Sequence, residues 1–283
     1  MTLSHFRQGC CVLLLLLCCA PAHAQEPTAQ ARKFDEFPDI QLSDLKARLD
    51  NFVIELQNNP AARGFIMIYR SRRDLPGLNS RVAQTIKYYL VYTRGFPAER
   101  IVTIDGGESN AGLVQELWVV PQGTAPVPRA DAYQRAFIDT ESNRKFDEFY
   151  YFLPEDVSEA DDPDYVSQKG SLESYAAALR QQPRAQAYVI VYPQYYIERW
   201  TETNNRGRSR THTRVYLDRR DAAARMSREI KDELVRTHHL AASRIRIVNG
   251  GYRNRRQAEL WVVPHPEFKP NATPNAFPPR RRK

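Results

Sequence analysis

The pentapeptide Lys33-Phe-Asp-Glu-Phe37 recurs as Lys145-Phe-Asp-Glu-Phe149, and each copy opens a matching run of sequence. Leu56-Gln-Asn-Asn-Pro60 and Gly64-Phe-Ile-Met-Ile-Tyr69 return as Leu179-Arg-Gln-Gln-Pro183 and Ala187-Tyr-Val-Ile-Val-Tyr192. The stretch from Lys87 to Gly106-Gly107 returns without a gap as Lys231 to Gly250-Gly251, and Glu116-Leu-Trp-Val-Val-Pro121 returns as Glu259-Leu-Trp-Val-Val-Pro264. The separation between copies widens twice and then slips back by one residue, so the second copy carries two insertions and one deletion. A solenoid repeats every ~20–50 residues. This longer period is one whole domain written twice.

The ends and the composition set the context. Residues 1–24 read as an export signal: Arg7 in a short n-region, the apolar run Val12–Leu17, and Ala22-His23-Ala24 before Gln25. The run is shorter than the roughly 20 residues that span a bilayer, so a mature chain without a transmembrane segment is expected. Cys18 and Cys19 raise a lipoprotein reading, but no Gly or Ala precedes either, and cleavage near Ala24 is favoured. All four cysteines (Cys10, Cys11, Cys18, Cys19) lie in this segment, so the predicted mature chain has no disulfide, thiol nucleophile or cysteine ligand. Losing Arg7 lowers the formal net charge of +8 by one. Outside the cytoplasm such a basic balance suits cell-wall carboxylates, lipid headgroups or anionic polymers, and argues against nucleic acid. Two segments read as non-globular: the Pro-rich stretch Pro121–Arg129 between the copies, and a Pro-rich basic tail ending in Arg280-Arg-Arg-Lys283.

Each copy spells one pattern. In the first, a short extended segment holds Phe34 and Phe37. A helix capped by Ser43 follows, with Leu45, Leu49, Phe52, Val53 and Leu56 on its apolar face. The run Gly64–Tyr69 reads as a central strand. A second helix over about 79–94 ends at Gly95, a third strand covers 101–104, Asp105-Gly106-Gly107 reads as a turn, and a last strand covers 117–120. The second copy gives the same order. The expected class is α+β: two tandem βαβαββ domains, each with two helices on a mixed sheet.

These residues resemble a known family. Arg81-Val-Ala-Gln-Thr-Ile-Lys-Tyr-Tyr-Leu90, Arg94-Gly-Phe-Pro-Ala-Glu-Arg-Ile101, Gly107-Glu108-Ser109-Asn110 and the opening Phe34-Asp35-Glu36-Phe37 are similar to the C-terminal domain of outer-membrane protein A, the OmpA-like fold. The resemblance covers 33–121 and 145–264 and implies a periplasmic or cell-envelope protein that associates with peptidoglycan. It divides the chain into a signal (1–24), a first OmpA-like domain (25–121), a linker (122–144), a second domain with insertions (145–264) and a tail (265–283). In that family an Asp after the second strand and an Arg directly before Ala on the second helix grip diaminopimelate. Here Val82 and Met226 stand at the Arg position and Ser71 and Gln194 near the Asp position, so both copies lack the ordinary pair.

What recurs instead is Arg-Arg-Asp before each second helix: Arg72-Arg73-Asp74, joined by Arg70, and Arg219-Arg220-Asp221. Guanidiniums beside a helix start suit carboxylates or phosphates. With Arg81 and Arg225 these form the candidate ligand set. The plainer reading has Asp74 and Asp221 at the helix starts and the arginines in water. The insertion 195–213, with Trp200, Arg206, Arg208 and Arg210, suggests polyanion or glycan binding, or simply a long hairpin or mobile loop. The acidic insertion 155–164 reads as a solvated linker rather than a calcium loop. No Ser, His and Asp set recurs, His238-His239 fits a helix end, and Asp105 becomes Asn249. A non-enzymatic binding or scaffold protein without metal or cofactor is therefore expected, with envelope proteins as further partners. Trp118 and Val120, with Trp261 and Val263, should face away from the helices, toward a sheet face covered by the other domain or another protein.

Overall fold

A computed structural model describes residues 30–132, 142–152 and 163–278 of the chain. The segment 1–24 read as an export signal, most of the acidic insertion and the terminal Arg-Arg-Arg-Lys fall outside them. The first copy runs β1 (Arg32–Phe37), α1 (Leu42–Asn58), β2 (Ala62–Arg70), α2 (Leu78–Tyr88), β3 (Ile101–Glu108) and β4 (Val114–Pro121). The second runs β5 (Arg144–Tyr150), α3 (Pro163–Gln181), β6 (Gln186–Tyr192), α4 (Ala222–Asp232), β9 (Ile245–Asn249) and β10 (Gln257–Val263), with an extra hairpin, β7 (Tyr195–Thr203) and β8 (Ser209–Leu217), between β6 and α4. The chain is thus α+β, with two four-stranded mixed sheets ordered β1-β4-β2-β3 and β5-β10-β6-β9. In each, one pair is parallel and the others antiparallel. The described residues from Ala31 onward form one compact unit. No helix among the described residues is long and apolar enough to cross a membrane.

Strand alternation builds two cores per sheet. Ile66, Ile68, Leu117 and Val119 point to the helix side, with Leu49, Phe52 and Leu56 of α1 and Ile86 of α2. Met67, Tyr69, Trp118 and Val120 form a separate cluster on the opposite face. The second copy repeats both layers, with Tyr188, Ile190, Tyr192 and Val263 on the far face. That face is covered, as the tryptophan spacing implied, but the cover is the chain's own connecting segment. After β4, the segment 122–132 crosses the first sheet: the Arg129 N–H donates to the Tyr69 hydroxyl (3.2 Å) and Ala132 joins the cluster. After β10, the tail does the same: the Thr273 N–H donates to the Tyr192 hydroxyl (3.0 Å) and Phe268 packs on Trp261 at 6.4 Å. Pro126 and Pro270 are buried in these two straps.

Three local readings are corrected. Ser43 does not cap α1; Gln41 is the N-cap, with no side-chain bond, and Ser43 lies inside the first turn. The Gly-Gly pair is no turn in repeat 1: β3 runs through it, with Gly106 as a bulge, since Ile68 pairs Asp105 and Tyr69 pairs Gly107. Gly107 and Gly251 have positive φ, whereas Gly106 and Gly250 are needed for room: a Cβ there would stand 2.4 Å from the Tyr69 and Tyr192 rings. The second helix of each copy also ends in a wide π-turn, over Tyr89–Thr93 and Glu233–Thr237. Gly95 closes the first in the left-handed region, and His239 adopts the same conformation in the second.

Candidate functional site

The repeats meet along a seam between α2 and α3. At its centre the Gly77 N–H donates to the Phe146 carbonyl (2.9 Å), and a Cβ on Gly77 would lie 2.7 Å from the Asp147 side chain. Gly170 makes the same kind of room for Gln84. Asp147 is fully buried: it accepts from the Ser171 hydroxyl (2.7 Å) and the Glu148 N–H (2.9 Å), and Arg81 Nε stands 3.5 Å away. Burial pushes the Asp147 carboxyl above the usual carboxylate range, against the pull of Arg81 and Ser171.

Beside this seam lies a cleft of about 440 Å³. Arg73, Asp74 and Arg81 line it from repeat 1, and Glu148, Tyr150 and Ser167 from repeat 2. It therefore offers two guanidiniums and two carboxylates across a shared opening. Asp74 does not cap α2: its carboxylate accepts from the Ser71 N–H (2.9 Å) and so fixes the loop that carries Arg72 and Arg73. Arg70 is not exposed in the cluster but buried against Glu108 at 3.1 Å, with Arg72 at 4.0 Å from the same carboxylate. Asn79, in the first turn of α2, donates to Asp105 (2.6 Å) and the Gly107 carbonyl (2.9 Å). Three buried polar atoms at this end of repeat 1 make no hydrogen bond among the described residues: Arg70 Nε, Asn79 Oδ1 and Arg81 Nε. Such atoms cost roughly 1–3 kcal/mol each when left unsatisfied.

Repeat 2 does not reproduce this arrangement. Arg219 and Arg220 are exposed at the foot of the β7–β8 hairpin, Asp221 is the N-cap of α4 without a side-chain bond, and Arg225 is half-buried. The structure thus brings Arg73, Asp74 and Arg81 together at the cleft and leaves Arg219, Arg220, Asp221 and Arg225 apart from it. Val82 packs against the first helix-side core and Met226 lies inside the second. The chain matches no protein-family model, no curated protein and no solved structure.

The most repeated peptides turn out to meet in space. Lys33 pairs Trp118 and Glu36 pairs Glu116 across β1 and β4. Buried Glu116 accepts from Lys33 (2.7 Å) and Trp118 Nε1 (2.8 Å), with Arg129 of the strap at 3.6 Å. Glu259 accepts from Lys145 (2.9 Å), Arg253 (2.5 Å) and Trp261 Nε1 (3.2 Å), and Thr273 of the tail lies 3.4 Å away. Burial would raise the Glu259 carboxyl, but the donated bonds from Lys145, Arg253 and Trp261 outweigh it and hold the group below its ordinary range. These networks pin the straps. A second recurring pair, Arg100 and Arg244, donates to the carbonyls of Leu56, Asn59 and Ala62 and of Leu179, Gln182 and Ala185, closing the ends of α1 and α3. Their alignment between copies was the available signal for both features.

Proposed function

We propose that the chain is an exported, non-enzymatic binding module of OmpA-like type, acting in the periplasm or cell envelope. In this reading its seam cleft takes a ligand bearing both a carboxylate and an amine, as a peptidoglycan stem peptide does. One observation carries the reading: Arg73, Asp74, Arg81 and Glu148 line one opening, with Glu148 also accepting from Lys145 at 2.9 Å, so each sign of a zwitterion has an answering group. The site is built from both repeats, so the ligand would bind only when they are docked.

The test is co-sedimentation of residues 25–283 with isolated peptidoglycan sacculi at low and high salt, with free diaminopimelate as competitor. Retention that survives high salt, yields to the competitor and falls severalfold in Arg73→Ala is the expected result. Retention that vanishes with salt, or ignores both competitor and substitution, removes the reading.

A further inference from the structure

The β7–β8 arm has no counterpart in repeat 1. Its strands pair at every position from Tyr195–Leu217 to Thr203–Ser209. Its tip is fixed by Asn204, whose side-chain oxygen accepts from the N–H groups of Arg206 and Arg208, both at 3.0 Å, and by Gly207 at φ +71°. A two-stranded ribbon is marginal by itself. This one is stitched by cross-strand aromatic pairs: Tyr196 stacks on Tyr216 at 5.9 Å, and Trp200 on His212 at 5.1 Å with 14° between planes.

Pairing alternation sets what each face displays. Tyr196, Glu198, Trp200 and Glu202 of β7 share a face with Arg210, His212, Arg214 and Tyr216 of β8. Trp200 remains 46% exposed and Tyr196 42%. Arg210 and Arg214 stand two residues to either side of His212, about 7 Å each way along the strand, and the Arg214 guanidinium lies over the Tyr216 ring at 4.9 Å. At the tip, the Arg206, Arg208 and Arg210 guanidiniums are exposed and form no ion pair among the described residues.

We propose that this arm binds an anionic polysaccharide. Trp200 would serve as the stacking platform for a sugar ring, and Arg206, Arg208, Arg210 and Arg214 would answer the carboxylate or sulfate groups of neighbouring residues. A flat exposed indole on the same face as cations suits an anionic chain with ring faces. Two carboxylates on the same face decide against a nucleic acid. Glu198 donates nothing; it accepts from the Tyr216 hydroxyl (3.0 Å), and Glu202 lies 3.3 Å from His212. A phosphate at every residue of a strand would meet these carboxylates at close range. A glycan brings hydroxyls that donate to them, and its charges are spaced by uncharged ring faces. The arm and the seam cleft are separate surfaces, so this binding does not depend on the zwitterion site.

The experiment is titration of the full chain with a size-defined heparin oligosaccharide and with polygalacturonate, followed by tryptophan fluorescence and calorimetry, with oligo-dT of matched charge as comparator. Heparin alone binding assigns sulfate as the preferred group, and polygalacturonate binding shows that carboxylate suffices; either supports the proposal. Trp200→Ala should weaken binding roughly five- to tenfold, the scale of one aromatic contact, while Trp200→Phe should stay within about twofold of the parent. Joint Arg206→Ala, Arg208→Ala and Arg210→Ala substitution should weaken binding and flatten its salt dependence. No binding of either glycan, oligo-dT binding as tight as theirs, or indifference to Trp200→Ala overturns the proposal. Because Trp200→Phe keeps an aromatic cross-strand pair, its retained binding separates loss of stacking from loss of the hairpin.

Discussion

Asp35 and Asp147 occupy the same place in two copies of one pentapeptide, yet their surroundings are opposite. Asp35 is half-buried and pairs with Arg48 of α1 at 2.7 Å. Asp147 is sealed beneath α2 of the other repeat and pays for burial with a carboxyl that resists ionisation. Local sequence fixed the strand in both cases, and the neighbour fixed the chemistry. The straps teach the same lesson in reverse. Glu116 and Glu259 receive the same Lys and Trp donors from their own sheets, but the second cation comes from the strap in repeat 1 (Arg129) and from the loop before β10 in repeat 2 (Arg253). One buried carboxylate can thus be completed from two different parts of the chain.

Four comparisons would break or sharpen these contrasts. The largest effect is expected from Glu259→Ala, which strands Lys145 and the buried Arg253 and should cost about 4 kcal/mol in urea unfolding. Glu116→Ala should cost less, about 3 kcal/mol, because Arg129 is farther away. Equal losses would mean that the source of the second cation is immaterial. Next, Gly77→Val should cost about 3 kcal/mol by driving a side chain into Asp147. The same residue at its counterpart, Asp221→Val, should change stability by less than ~0.5 kcal/mol; a matching loss there would mean that the seam is not what Gly77 protects. Removing the tail after Pro264 should cost roughly 1–2 kcal/mol, through the loss of Phe268 on Trp261 and the bond to Tyr192. It should also shift tryptophan emission to the red, and unchanged emission would assign the cover of Trp261 elsewhere.

The smallest effect is one of pH, and its two parts have opposite sign. Asp147 holds its proton more tightly when folded, so its contribution is complete below the unfolded value of 3.8 and is lost as pH rises through the raised folded value. Glu259 releases its proton more readily when folded, so its contribution is present above the unfolded value of 4.5 and is lost as pH falls below it. Lowering the pH from neutrality should therefore stabilise the parent relative to Asp147→Ala and, below 4.5, destabilise it relative to Glu259→Gln. Parallel pH curves for parent and either variant would remove the assignment.

Much of the fold was legible because every element except the β7–β8 hairpin was spelled twice. The alternation Leu117-Trp118-Val119-Val120 placed its residues on the correct faces, and the apolar spacing of α1 found Leu49, Phe52, Val53 and Leu56. What escaped was non-local. Nothing near Pro121 or Pro264 says that the following prolines lie down across a sheet, since their contacts with Tyr69 and Tyr192 span long stretches of chain. The π-turns escaped because a single extra residue leaves apolar periodicity almost unchanged. At the site, the Arg-Arg-Asp loops looked equivalent in sequence, but only the first has a neighbour. Arg70 read as one more exposed cation because its partner, Glu108, arrives from another strand.

Gly77 and Asp221 occupy the same N-cap place in α2 and α4. The seam needs bare backbone there, because the neighbouring strand brings Asp147 to within van der Waals distance. A contact that joins the back of one unit to the front of the next repeats without limit when every unit is alike, and such surfaces build fibres. In this chain the next front would carry Asp35 toward Asp221, carboxylate against carboxylate, with Arg228 where the seam has Gln84. One glycine makes the junction between the two repeats possible, and the aspartate in its place on α4 leaves no equivalent stretch of bare backbone.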